Sequence, residues 1–565
     1  MALRGSRDAY KTSSTQEEDG QARSHTYLKR LSHASKVMVV LASIAFLGFQ
    51  LAQHVYAAPA TTTRKPIATT WSGIYEGFTN TTSNTDWFLG IPYAQTPPDR
   101  FKASKPLGLS TNLKVQDAKN WGPVCPQTQQ GSSYGTNYNG TVSEDCLYLN
   151  VVRPANIGLK PLPVLVWIYG GGFTDGAASQ YDPTAIVTRS MAIGEPVIYV
   201  AMNYRLNAFG FLQHSEVTKP QDYNLGLTDQ LQALKWIKAN VLAFGGDPNQ
   251  ITIWGESAGG GSVETHVLYG PSGLFRAGAI DSGYILRGFN APSNTPFWTL
   301  ANYTGCGTQA STTPQAAYDC LDALPFAQLL AQSQQVIQGG FAGYTPVVAG
   351  NYVTEFPRAR VEGKRYNMVP LIQGTNKNEG FATGTYTHDT FVAAVQLSLN
   401  VTTAKAEEIV AAYENDASLQ GASYTTMVGY FNGDSTFLAS TRFLTSHFVQ
   451  TQPVFSYLFS QPPPGPIGEL VGAYHSSELH WPFATWPTDG TASDPAAFLR
   501  LQNEFIDYWV NFINGKDPNG KTVPTWPPYA TGQDIQFTAV NGTAPISDDF
   551  RKEATTLIAD LFRAS

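Results

Sequence analysis

The chain has 565 residues, of which 42% are hydrophobic, 12% aromatic and only 14% charged, with a formal net charge of −7. That much apolar chain builds a large core and excludes disorder as a whole, and the acidic balance excludes the basic face of a nucleic-acid binder. Charge lies well below the ~25% of an average soluble domain, so Ser, Thr, Asn, Gln and Gly must supply much of the surface polarity.

Residues 1–36 form a polar tail ending in Lys29, Arg30 and Lys36. An apolar run over 37–49 follows, fading to the small residues Ala57 and Ala58. A basic flank, a short apolar stretch and a small-residue end predict a secretory signal peptide over 37–58. The run is short of the ~20 residues of a membrane span. The alternative is an uncleaved signal anchor, the one way in which the chain would meet a membrane. Either reading translocates the main body and predicts an extracellular protein. Residues 59–66 read as a linker, and 67–565 as one large domain. Four cysteines, Cys125, Cys146, Cys306 and Cys320, are an even count in a translocated chain and predict two disulfides, with sequence neighbours as the natural pairing. Asn80, Asn139, Asn302, Asn400 and Asn541 each open an Asn-x-Thr acceptor for N-glycosylation.

Beyond the linker, strand and helix patterns alternate. Apolar runs over 162–168, 196–202, 250–254, 368–373 and 454–459 read as strands buried on both faces. Helical periodicity marks 225–244, 495–514 and 550–562. This alternation predicts an α/β fold with a mostly parallel sheet covered by helices on both faces. Reactive groups should then sit at the carboxyl ends of the strands.

Gly-x-Ser-x-Gly occurs twice, around Ser133 and around Ser257. The motif carries chemistry where a strand feeds a sharp turn and then a helix, which lifts the serine oxygen clear of the sheet. Ser257 follows the strand at 250–254 and precedes a helical pattern, whereas Ser133 lies in a Gln/Ser/Gly/Asn loop. Ser257 is therefore the candidate nucleophile. Three glycines, Gly170 to Gly172, directly follow the strand at 162–168. Their N–H groups, with that of Ala258, can hold a developing oxyanion. A phosphate cradle would need a Lys-Ser/Thr ending that is missing here.

Of nine histidines, only His475 and His480 combine a strand-end loop with a position after the nucleophile; His475 is preferred, with His480 as the alternative. The acid should lie between them in the chain. Glu379, just past the strand at 368–373, fits best, and Asp281 is its rival. No metal or organic cofactor is required.

With these motifs in hand, the chain from about Trp71 onward resembles the type B carboxylesterase/lipase family of α/β-hydrolases, the group that also holds cholinesterases. The resemblance rests on the Glu144-Asp145-Cys146-Leu147 run, Tyr169-Gly170-Gly171-Gly172-Phe173, Asn203-Tyr204-Arg205, Phe244-Gly245-Gly246-Asp247-Pro248 and Gly255-Glu256-Ser257-Ala258-Gly259. It implies an α/β-hydrolase fold, a Ser257–His475–Glu379 triad, and an oxyanion hole at Gly171, Gly172 and Ala258. It also implies supporting polar groups at Glu256, Ser282 and Glu478, disulfides Cys125–Cys146 and Cys306–Cys320, and ion pairs Arg100–Glu144 and Arg205–Asp229. The style resembles a secreted fungal member.

Departures from the family narrow the substrate. Residues 126–145 hold no Trp or Phe, so the stacking surface that cholinesterases offer a quaternary ammonium is missing. The same segment has no Leu, Ile or Met, so it lacks the apolar flap of the family's lipases. The expectation is a small-molecule esterase for short to medium or aromatic carboxylic esters. The alternatives are a secreted lipase or sterol esterase, and a non-catalytic binding or adhesion protein. Phe341, Tyr344, Trp481 and Trp486 are candidates for pocket lining, with ordinary core packing as the other reading.

Overall fold

The computed structural model describes residues 65–127, 141–308, 312–338, 343–486 and 494–563. The leader and most of the linker, together with Ser133, Asn139 and Phe341, lie outside the described residues. The linker's end belongs to the fold: Pro66 is buried and its carbonyl accepts from the N–H of Gly77 at 2.9 Å.

The strands in chain order are β1 (Ile67–Thr70), β2 (Gly73–Glu76), β3 (Phe78–Asn80), β4 (Thr85–Pro92), β5 (Val115–Asp117), β6 (Tyr148–Pro154), β7 (Leu162–Ile168), β8 (Ile198–Met202), β9 (Gly246–Glu256), β10 (Ala277–Asp281), β11 (Leu371–Asn376), β12 (Val454–Phe459), β13 (Gln533–Phe537) and β14 (Ala544–Ser547). A small sheet joins β1, β2 and β5, and eleven strands form the main sheet in the order β14-β13-β12-β11-β10-β9-β7-β8-β6-β4-β3. Its centre, from β8 through β7, β9, β10, β11 and β12 to β13, is parallel, while β6, β4, β3 and β14 join antiparallel. This is the α/β arrangement read from the sequence, with antiparallel margins that the apolar runs did not announce.

Two strands differ instructively from their sequence bounds. The run at 368–373 enters the sheet only at Leu371, because Pro370 has no N–H for a ladder and Met368 is exposed. The run at 250–254 is the inner part of a longer strand that starts at Gly246, beside Leu162.

β9 lies at the middle of the sheet, and its two faces meet different helices. Ile253 is level with Gly278 of β10, whose missing side chain makes room for Val263 and Val267 of the helix Ala258–Tyr269. Strand alternation turns the next residue, Trp254, to the other face. There its ring lies 4.6 Å from Trp167 and 5.9 Å from Trp509 of the helix Pro495–Gly515. That helix opens with Pro495 in its first turn and the Asp494 side chain accepting from the Ala497 N–H at 3.0 Å. Its buried stripe of Phe498, Leu501, Phe505, Trp509 and Phe512 covers this face of the sheet.

Covalent and ionic ties hold the loops. Cys125 is bonded to Cys146 and Cys306 to Cys320. Arg100 grips Glu144 through two bonds of 2.7 and 2.6 Å, and Arg205 grips the fully buried Asp229 at 2.7 and 2.8 Å. Such bidentate pairs fix geometry more than they add net stability. Asn302, Asn400 and Asn541 are exposed and Asn80 is partly so, at the end of β3. Among the described residues, no helix is long and apolar enough to cross a membrane.

Candidate active site

The carboxyl ends of β7, β9, β10, β11 and β12 bring the candidate residues together. Ser257 sits between β9 and the helix Ala258–Tyr269 with φ 54° and ψ −120°, a conformation that costs a non-glycine residue of order 1–3 kcal/mol. Neighbouring glycines make the turn possible. A Cβ on Gly259 would stand 1.9 Å from the Ile168 carbonyl oxygen, and one on Gly255 would stand 2.4 Å from that of Gly259. The Gly-x-Ser-x-Gly spacing is thus a packing requirement of strand, turn and helix in contact. The Ser257 N–H donates to the Asp281 carbonyl at 2.9 Å, tying the turn to β10.

From Ser257 a line of hydrogen bonds runs through the imidazole to a carboxylate. His475 Nε2 lies 2.9 Å from Ser257 Oγ, and its Nδ1 lies 2.7 Å from Glu379 Oε2. Glu379 Oε1 accepts from the Asn376 N–H at 2.6 Å and from Ser282 Oγ at 2.5 Å. His480 is turned away and its Nδ1 meets Thr485 Oγ1 at 2.9 Å. Asp281, the rival acid, instead accepts from Trp254 Nε1 at 2.6 Å.

Of the supporting groups, Glu256 accepts from Ser476 Oγ at 2.5 Å and stands 3.4 Å from His475 Nε2. Glu478 is fully buried and takes a short bond from Asn376 Nδ2. Burial pushes the Glu256, Asp281 and Glu478 carboxyls above their ordinary range. Burial opposes the charged form of His475, but Glu256 and Glu379 together outweigh it and raise the imidazole to about 9.

The glycine run after β7 forms the opposite wall. Gly171 and Gly172 have φ of 106° and 60°, which turns the backbone sharply after the strand. The Thr174 and Asp175 N–H groups close this turn on the Gly171 carbonyl at 2.9 and 3.1 Å. Gly170 is bare for another reason: a Cβ there would meet Glu256 Oε2 at 2.7 Å and the Ser257 Cβ at 3.0 Å. The three glycines, Asp175, Tyr181, Ser257 and His475 line one cavity of about 320 Å³.

Three functional neighbours escaped the sequence reading. Ser476 could have been suspected from its place beside His475. Asp175 stands two residues after the glycine-phenylalanine run. Phe437 gave no sequence signal at all; its ring stacks on the His475 imidazole at 4.3 Å and 20°. Of the proposed lining aromatics, the three among the described residues belong to the core instead. Tyr344 and Trp481 are fully buried, Trp481 between Phe459 and Phe498, and Trp486 packs on Phe498 while its Nε1 donates to Gln502 at 2.7 Å. Large rings beside a sheet this wide find more area to bury in the core than at a cavity wall.

A central parallel sheet with a serine on a strained strand-to-helix turn defines an α/β-hydrolase. The family model of the carboxylesterase family matches residues 64–557, and the chain belongs to that family. It is a carboxylic ester hydrolase. Among its curated relatives are Lipase 5 of Diutina rugosa, 32% identical over 70% of this chain and 79% of the relative, and Secreted lipase 1 of Botryotinia fuckeliana, 29% identical over 88% and 92%. Among solved structures, a thermophilic pNB esterase superposes with a TM-score of 0.73 at 27% identity, covering 87% of this chain and 100% of the esterase.

Proposed function

We propose that the protein is a secreted serine carboxylesterase in which Ser257, His475 and Glu379 act as the triad on short to medium or aromatic esters. The observation that carries this is the continuous line from Ser257 Oγ through His475 to Glu379, at 2.9 and 2.7 Å, opening on a cavity. In the cycle, His475 Nε2 takes the Ser257 proton as Oγ attacks the ester carbonyl. The N–H groups of Gly171, Gly172 and Ala258 hold the oxyanion. Glu379 keeps the imidazole oriented and favours its charged form. The tetrahedral intermediate expels the alcohol, which takes its proton from His475, and leaves an acyl-Ser257. Water, deprotonated by His475, then attacks the acyl carbon, releases the acid and returns the proton to Ser257.

A cavity of about 320 Å³ is near the small end of ligand sites, which supports esters of modest size. Secretion is supported by the two disulfides, the exposed glycan acceptors and the secreted relatives. On this reading, residues 1–58 are leader and 67–565 the catalytic domain. The lipase reading is favoured by one observation, the lipase names of the relatives. Hydrolysis of p-nitrophenyl acetate, butyrate and palmitate by the protein and by Ser257→Ala separates the two. The expected result is short-chain activity that falls by roughly 10³-fold or more in the variant. Activity mainly on palmitate would transfer the protein to the lipases, and activity unchanged in Ser257→Ala would remove Ser257 from the mechanism.

A further inference from the structure

Asp175 is out of place for a residue in an oxyanion-binding wall. Its carboxylate lies against Gly171, where an added Cβ would come within 2.2 Å of Asp175 Oδ1. That oxygen is buried and has no hydrogen-bond partner. Asp175 lines the same cavity as Ser257 and His475, and apart from that imidazole, which makes no bond to Asp175 Oδ1, no cationic side chain lines it among the described residues. Burial pushes the carboxyl up to about 6, so toward pH 8 it is the carboxylate.

A buried carboxylate oxygen without a partner costs free energy by itself, and it costs more when a second negative charge develops on an ester oxygen held by the adjacent glycine N–H groups. Reaction at Ser257 creates that second charge. For a neutral ester, Asp175 therefore opposes the step that the glycines assist. A positive charge carried on the substrate reverses this: it pairs with Asp175 in the ground state and lies between two anions in the transition state.

We infer that Asp175 makes this cavity selective for esters that carry a protonated amine on the acyl or the alcohol side, using an ion pair with the carboxylate in place of an aromatic cage. The inference rests on the proposed role of Ser257, because it needs the oxyanion to form beside Gly171.

Matched pairs of substrates test it at a pH between neutral and 8. Methyl ω-aminohexanoate against methyl heptanoate places the charge on the acyl side. Dimethylaminoethyl butyrate against isopentyl butyrate places it on the alcohol side. In at least one pair, the wild-type protein should prefer the cationic member by about tenfold in kcat/KM, a difference of ~1.4 kcal/mol. Asp175→Asn, which keeps the shape and removes the charge, should lower kcat/KM for that cationic member and raise it for the neutral one. Asp175→Ser should move both in the same directions. Opposite movements cannot come from partial unfolding, which lowers both. Two results overturn the inference: no preference in either pair for the wild type, or variants that shift both members of a pair equally. If neutral esters are hydrolysed but survive Ser257→Ala, the role of Ser257 fails first and the inference falls with it.

Discussion

The two walls that flank the reactive serine are built on opposite plans. On the carboxylate side, the groups that hold the imidazole are engaged: Glu379 accepts from His475, Ser282 and the Asn376 backbone, and Glu256 from Ser476, while Glu478 Oε1 and Asn376 Oδ1 behind them have no partner. On the glycine side, the backbone turns through positive φ at Gly171 and Gly172, and Asp175 Oδ1 is left without a partner. A group that must hold one orientation through the reaction needs its bonds made beforehand, whereas groups that meet a charge only in the transition state must be left open to it. On the proposed mechanism, the first wall orients the imidazole and the second receives the oxyanion.

The largest effect short of removing Ser257 comes from breaking the orienting wall. Glu379→Gln keeps the size of the side chain but removes the charge that favours imidazolium. The expected loss is roughly 10²–10⁴ in kcat, with KM little changed. Pre-steady-state acylation by a p-nitrophenyl ester would locate the loss in the first chemical step. A loss confined to KM would instead make Glu379 a substrate contact.

The pH profile sharpens the same comparison. On the proposed mechanism His475 acts as a base only when neutral, so kcat/KM should rise with pH through the imidazole's titration and be lost below it. That titration is displaced upward, to about 9, by Glu256 and Glu379 acting against burial. Glu256→Gln removes the largest single raising influence, so the acid limb should move to lower pH. Because Glu256 and His475 titrate against each other, the limb belongs to the pair, and the test is its displacement in the variant. A limb that stays in place would mean that Glu256 does not face the imidazole's charge in solution.

What could be read from the sequence divides along the same line. The serine turn was legible because strand, glycine spacing and helix must occur together for the backbone to fit at all; Gly259 shows why, with the Ile168 carbonyl occupying its side-chain space. β7 and β12 were legible as continuous apolar runs because both of their faces are covered. β6 is also buried almost throughout, but Asn150 and Arg153 interrupt its apolar run. Arg153 is tolerated there because Asp86 of β4 meets its guanidinium at 3.1 and 3.2 Å, a compensation that becomes visible only once the strands are paired. Ser282 was named only through the family resemblance and Phe437 not at all; they reach Glu379 and His475 from segments far apart in the chain, and no local pattern encodes such a meeting.

Phe437 offers the smallest test and bears directly on how the imidazole is held. It lies on a π-helical turn, Asp434–Leu438, which is anchored by the buried pair of Asp434 with Arg551 at 2.8 Å and by the Tyr413 hydroxyl on Asp434 at 2.8 Å. Tyr284 meets the Phe437 ring edge-on at 5.8 Å, so the ring cannot easily leave the imidazole face. A ring over an imidazolium favours the charged form by about 0.5–1 kcal/mol. Phe437→Leu keeps the apolar contact and removes the ring quadrupole. It should lower kcat by about two- to fivefold and move the acid limb slightly downward, in the same direction as Glu256→Gln but by less. Phe437→Tyr should restore both, since it keeps the ring face. If Leu and Tyr behave alike and the limb does not move, Phe437 acts by volume alone, and the hydrogen bonds of the orienting wall suffice to hold His475.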